Sequence, residues 1–120
     1  IEGVQSMVDK AQANAQFNQL ENCHFFQADL NSDWQKSAWR KEQFNKIVLD
    51  PARAGAEKAC EQIQHYKAEK IVYISCDPSS LARDTAILIK QGYKVEKIAL
   101  IDMFSQTKHI ETMVLFVPVK

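Results

Sequence analysis

The sequence of 120 residues has no excess of charge, no long apolar run, and only three each of glycine, proline and cysteine. Each shortage excludes something. Fifteen Lys plus Arg balance fifteen Asp plus Glu, so the chain has no global field with which to grip a nucleic acid, although a local basic patch is still allowed. No apolar stretch approaches the roughly 20 residues of a membrane-spanning helix. Three cysteines without CxxC spacing make neither a disulfide framework nor a self-contained zinc site, and they read as thiols in a reducing cytoplasm. There is no initiator Met and no secretory pattern. The chain opens on Ile1-Glu2-Gly3-Val4 as though a strand had been cut just before its end, and a fragment of a larger domain is expected.

What is present is average for a soluble globular domain: 46% hydrophobic and 25% charged residues, which argues against a disordered, collagen-like or coiled-coil chain. The length allows a single core. Met7, Val8, Ala11 and Ala15 recur at helical spacing over residues 6–18, with Ser6 as the expected N-cap and Asp9 in the first turn. Residues 23–27 read as a short strand ending at Ala28-Asp29. Residues 31–43, with Trp34 and Trp39, read as a loop with a short helix. Lys46-Ile47-Val48-Leu49 is a buried-strand pattern closed by Asp50-Pro51. Residues 56–66 form the next helix, and residues 70–75 an unbroken apolar strand closed by Cys76-Asp77-Pro78. Ser79 or Ser80 is expected to cap a third helix that stops at Gly92. Residues 93–102 and 112–119 are two final strands joined without a helix, hence a terminal antiparallel pair. The alternation of strand and helix gives an α/β fold with a mostly parallel sheet.

In open parallel sheets ligands bind at the carboxyl ends of the strands. Asp29, Asp50 and Cys76 fall at such ends, and Glu2 does so if Ile1 closes a truncated strand. Acidic residues in these places commonly receive the ribose hydroxyls or amino groups of a nucleotide-like cofactor; the competing reading of each is a solvated turn Asp that caps the next helix. Cys76 stands where a helix begins, a place whose field favours a thiolate, while Asp77 beside it works against that shift. Cysteine is also among the most buried residue types and can simply fill a pocket. That reading is preferred for Cys23 and Cys60, placed inside a strand and a helix; for Cys76 both readings stand. In the connection between the last two strands Glu111 adjoins apolar Ile110 and Met113. Desolvation there would raise a carboxylate pKa and suit a proton acceptor, with His109 as the rival base. Either could also be an exposed loop residue, the more common outcome for such positions.

Three ordered segments carry a resemblance: Leu49-Asp50-Pro51-Ala52-Arg53-Ala54-Gly55-Ala56, then Ile74-Ser75-Cys76-Asp77-Pro78-Ser79-Ser80-Leu81-Ala82-Arg83-Asp84, then Asp102-Met103-Phe104 through His109-Ile110-Glu111-Thr112. Together they resemble the S-adenosylmethionine-dependent RNA uracil-C5 methyltransferases. Asp-Pro-Ala-Arg-Ala-Gly, Leu-Ala-Arg-Asp and His-Ile-Glu-Thr-Met-Val-Leu-Phe look closest to the bacterial branch that methylates uracil in 23S ribosomal RNA; the tRNA branch usually reads Asp-Pro-Pro-Arg. The resemblance implies a Rossmann-like class I methyltransferase fold truncated at its N-terminus, with residues 1–120 as the C-terminal part of the catalytic domain. The glycine-rich cofactor loop, the RNA-binding domain and the cysteines of the family's iron–sulfur cluster would lie before Ile1. It further implies Cys76 as nucleophile, Glu111 as general base, and Glu2, Asp29 and Asp50 as residues lining S-adenosylmethionine. Two positions depart from the family pattern: Asp77 replaces the usual Asn, and Ser105 a usual Pro. Ribosomal RNA is the implied partner, with no membrane and no DNA, and the isolated fragment is expected to be inactive and to bind cofactor weakly or not at all.

Rival classes remain. Amino methyltransferases of the Asp-Pro-Pro-Tyr type need an aromatic residue where Arg53 stands, and DNA cytosine-C5 methyltransferases place their cysteine in the loop equivalent to the Asp50 segment. A non-catalytic α/β interaction module is the alternative from another class. Rapid alkylation of Cys76, ahead of Cys23 and Cys60, would favour the enzyme.

Overall fold

The computed structural model describes residues 1–103, 106, 107 and 110–120 and divides into two compact units, Ile1–Lys41 and Glu42–Lys120. In the first unit, helix α1 spans Gln5–Phe17 and buries Val8 and Ala15. Its N-cap is Val4, which offers no side-chain acceptor. Ser6 is therefore inside the helix and not its cap. The Glu2 carboxylate takes over part of that task, accepting the Val4 N–H at 3.0 Å. The strand expected over residues 23–27 is reduced to a single parallel bridge between Glu2 and Gln27. Glu2 N–H donates to Phe26 O and Ala28 N–H to Glu2 O, each at 3.0 Å. Residues 34–36 form a 3₁₀ turn capped by Asp33. Trp34 and Trp39 are buried and meet edge to face at 6.3 Å between ring centroids.

The second unit carries the sheet: β1 Lys46–Leu49, β2 Lys70–Ser75, β3 Tyr93–Ile101 and β4 Glu111–Pro118. Their order is β1-β2-β4-β3. β1 and β2 are parallel, and β4 runs antiparallel to both β2 and β3. Three strands thus share one direction, and the reversed β4 is slotted between two of them. Helix α2, Glu57–Ile63, continues as a 3₁₀ turn over Gln64–Tyr66. Helix α3 spans Pro78–Lys90 and packs on α2, β2 and β3.

The core lies between these helices and one face of the sheet. Ile71 opposite Phe116 and Tyr73 opposite Val114 share that face, where Ile71, Tyr73 and Phe116 are fully buried together with Leu88 of α3 and Ile63 of α2. Each such side chain contributes roughly 1.5–3 kcal/mol of transfer free energy. The Tyr93 hydroxyl, also buried, donates to Ala68 O at 3.0 Å, so burying it leaves no orphan polar atom. Gly92, at φ 89°, ends the α3 turn in the left-handed region that glycine tolerates. Among the described residues no helix is long and apolar enough to cross a membrane.

Candidate active site

Pro78 at the first position of α3 fixes where this helix starts, because proline lacks the N–H that position would leave unpaired. The cap is consequently Asp77, not Ser79 or Ser80. Asp77 Oδ2 accepts the Ser80 N–H at 2.9 Å, and Oδ1 lies 3.9 Å from Arg53 Nε. The Ser80 N–H, with the Arg53 guanidinium as a lesser cause, holds this carboxyl below the usual range. Its charge is therefore directed into the helix end and toward Arg53, and Cys76 stands one residue before it. Cys76 is a free, half-buried thiol.

β4 brings in the second group. Ser75 is paired with Thr112, and Ile101 with Glu111. Continuing the antiparallel count by one residue sets Cys76 across from Glu111. Adjacent strands lie roughly 5 Å apart, which is within reach of two side chains converging on one small ring. Glu111 is half-buried. Asp50 leaves the same end of the sheet from β1, whose Leu49 pairs with Tyr73, and is exposed, with no side-chain partner among the described residues. The second unit thus places Asp50, Cys76 and Glu111 at one end of the sheet. Glu2 and Asp29 belong to the first unit, where the bridge at Glu2 and Gln27 places both acids at neighbouring segment ends. Asp29 Oδ1 accepts the Asn31 N–H at 2.8 Å. His109 and Ser105 lie outside the described residues.

Tied through Tyr73 to β2, the strand that leads to Cys76, is a buried cluster that sequence reasoning missed. Asp84 is 0% exposed. Its Oδ2 accepts the Ala56 N–H at 2.7 Å and the Tyr73 hydroxyl at 2.5 Å, while Oδ1 receives Arg83 Nε at 2.9 Å. Burial, and then the hydrogen bond and charge of Asp84, push the Tyr73 phenol up, which keeps it a donor. A signal existed: Leu81, Asp84 and Leu88 recur at helical spacing, so an acid occupies the apolar stripe of α3.

The other two cysteines separate from Cys76 in different ways. Cys60 is buried in α2, where burial, followed by the nearby Asp84 charge, pushes its thiol up to about 12. Cys23 is exposed; it fills no pocket, because the segment around it makes one bridge and not a strand. Alkylation of the native protein at neutral pH is expected to mark Cys23 and Cys76 well before Cys60, as read by peptide mass mapping. Early modification of Cys60 would contradict its buried placement. Among the described residues no group of three or more His, Cys, Asp or Glu is placed to hold a metal.

Comparison with known proteins follows the same lines. The chain is 60% identical over 117 residues to the 23S rRNA (uracil(1939)-C(5))-methyltransferase of Colwellia psychrerythraea, covering 97% of this chain and 25% of that protein. It is 49% identical over 120 residues to the enzyme of the same name from Photobacterium profundum, covering 100% of this chain and 26% of that protein. It therefore spans about a quarter of the length of these relatives. The crystal structure of the Pyrococcus abyssi tRNA (uracil-54, C5)-methyltransferase in complex with S-adenosyl-L-homocysteine matches with a TM-score of 0.79 at 27% identity, over 96% of this chain and 27% of that one. M. jannaschii TYW2, solved in complex with AdoMet, shares the fold alone, with a TM-score of 0.65 at 12% identity over 97% of this chain and 55% of that one. The fold is thus that of the Rossmann-like S-adenosylmethionine-dependent methyltransferases, and with a family model for tRNA (uracil-5-)-methyltransferase matching residues 2–118, the chain belongs to that family.

Proposed function

We propose that this chain is the catalytic part of an RNA uracil-C5 methyltransferase acting on 23S ribosomal RNA, with Cys76 as nucleophile and Glu111 as general base. The observation that carries the reading is the Ser75–Thr112 pair that ends the β2–β4 register, since continuing the count by one residue brings Cys76 and Glu111 to the next level. Uracil C5 is a poor nucleophile. A thiolate from Cys76 adding at C6 forms an S–C6 bond and moves the C5–C6 π pair onto C5 and its conjugated carbonyl. With that pair spent on a bond from C5 to the methyl group that bound S-adenosylmethionine would supply, Glu111 removes the proton left on C5, the C5–C6 double bond re-forms, and the S–C6 bond breaks to return the thiolate. The base must leave its stack to reach both groups.

The carboxylates fit the implied cofactor by their chemistry. Exposed Asp50 has both oxygens available among the described residues, and carboxylates at strand ends accept ribose hydroxyl and amino hydrogens. Asp50 would help to hold S-adenosylmethionine, which when bound supplies an electrophilic methyl group; for Glu2 and Asp29, in the first unit, the same role rests on the family resemblance. The relatives' names support ribosomal over transfer RNA as substrate.

The test is methyl transfer by the full-length protein to unmodified 23S ribosomal RNA and tRNA transcripts, followed by nucleoside mass analysis. The expected result is 5-methyluridine in the ribosomal transcript together with release of the C5 hydrogen of the target uracil. Methylation confined to tRNA would replace the substrate. Methylation of another base, or none, would sink the reading.

A further inference from the structure

The loop that carries Asp50 is fastened to α3 at consecutive peptide groups. Arg53 O accepts the Ser80 hydroxyl at 3.0 Å, and Ala54 O accepts Arg83 Nη2 at 2.9 Å. Ala56 N–H donates to Asp84, and Arg83 Nη2 also pairs with Asp84 Oδ1 at 2.8 Å. The approach is so close that only glycine fits at position 55. Its φ is +80°, and a Cβ there would sit 2.6 Å from Asp84 Oδ2 and 2.7 Å from Arg83 Nη2. Through Tyr73 the same carboxylate reaches β2, the strand that leads directly to Cys76. One buried acid therefore ties together the segment bearing Asp50, the strand preceding Cys76 and the helix following it.

We propose that Arg83 and Asp84 are positioning residues for methyl transfer: they set the spacing between the Asp50 loop and Cys76 without touching either reacting group. The inference rests on the function proposed above. Such an arrangement acts on chemistry more than on affinity, because displacement of a reacting group by about 1 Å can cost roughly 100-fold in rate. Asp84→Asn removes the charge that pairs with Arg83 and puts an amide donor against donors. Arg83→Lys keeps a positive charge but loses the fork that reaches Ala54 O and Asp84 together. Gly55→Ala leaves both residues intact and displaces the loop instead.

The experiment measures kcat and KM for 23S ribosomal RNA in the full-length enzyme at a temperature where circular dichroism shows each variant folded. Asp84→Asn and Gly55→Ala are expected to lower kcat by roughly 10- to 100-fold while the KM for RNA stays within about twofold of wild type. Arg83→Lys should fall between them and wild type. The double variant Gly55→Ala with Asp84→Asn should lose no more than the worse single one, since both act through the same loop. If Asp84→Asn does not fold, Arg83→Lys and Gly55→Ala carry the test. Folded variants with wild-type kcat would overturn the positioning role alone, whereas an inactive wild-type enzyme would overturn it together with the reaction it serves.

Discussion

Replacing Cys76 with alanine in the full-length enzyme is expected to abolish methyl transfer while leaving the fold intact. Without a thiolate at C6, uracil C5 has no route to nucleophilicity, and Cys60, buried in α2, cannot supply one. Loss of a covalent nucleophile should lower turnover by at least about 10⁴-fold, or roughly 5.4 kcal/mol of transition-state stabilisation. The covalent species between protein and RNA should disappear with it. The structural cost is small, because Cys76 is half-buried and stands in the bend after β2, outside the paired ladder. A stability change within about 1 kcal/mol is expected. Cys60→Ala is the mirror case. Its sulfur is fully buried, so that variant should unfold earlier, by a loss of roughly 1–2 kcal/mol, yet keep its turnover per folded molecule. Methyl transfer surviving in Cys76→Ala would overturn the assignment of the nucleophile.

The contrast between these two thiols was only partly legible in the sequence. The strands β1 and β2 are readable because each is an apolar run closed by proline two or three residues after it, at Asp50-Pro51 and Cys76-Asp77-Pro78. The terminal antiparallel pair followed from the missing helix between residues 93 and 119. Its place in the sheet did not. Whether β4 lies outside β3 or between β2 and β3 depends on which edge of β2 is free, and no local pattern records that. Yet it is the insertion of β4 beside β2 that pairs Ser75 with Thr112 and so brings Cys76 and Glu111 to the same end of the sheet. Residues 23–27 failed as a strand for a similar reason. They hold apolar residues, but among the described residues their one ladder partner is Glu2, so a single bridge forms. The start of α3 differs in kind. Pro78 marks the first helical position and hence Asp77 as cap, and the serines behind it fall inside the helix. Asp84 was written in the helical spacing of α3, but an acid on an apolar stripe declares its partners only when Tyr73, Ala56 and Arg83 are brought around it.

Glu111→Gln should have a different signature from Cys76→Ala, and the difference is what makes the pair of roles testable. Glutamine preserves the size of the side chain and leaves the β3–β4 pairing of Ile101 with residue 111 undisturbed. It cannot accept a proton from carbon. Addition of Cys76 at C6 does not need the base, so the S–C6 bond should still form. Its breakage does need the base, because the double bond re-forms only when the C5 proton leaves. Turnover is therefore expected to fall by roughly 10²–10⁴-fold, the usual worth of a positioned base, with the covalent species between Cys76 and RNA accumulating. A slowly migrating, RNA-bearing band on denaturing gels, absent in the Cys76→Ala/Glu111→Gln double variant, would report it. His109 is the competitor in the same connection. Were His109→Ala to trap the covalent species while Glu111→Gln turned over normally, the proton would be leaving to the histidine, and the register of β2 and β4 would position the ring without supplying its base.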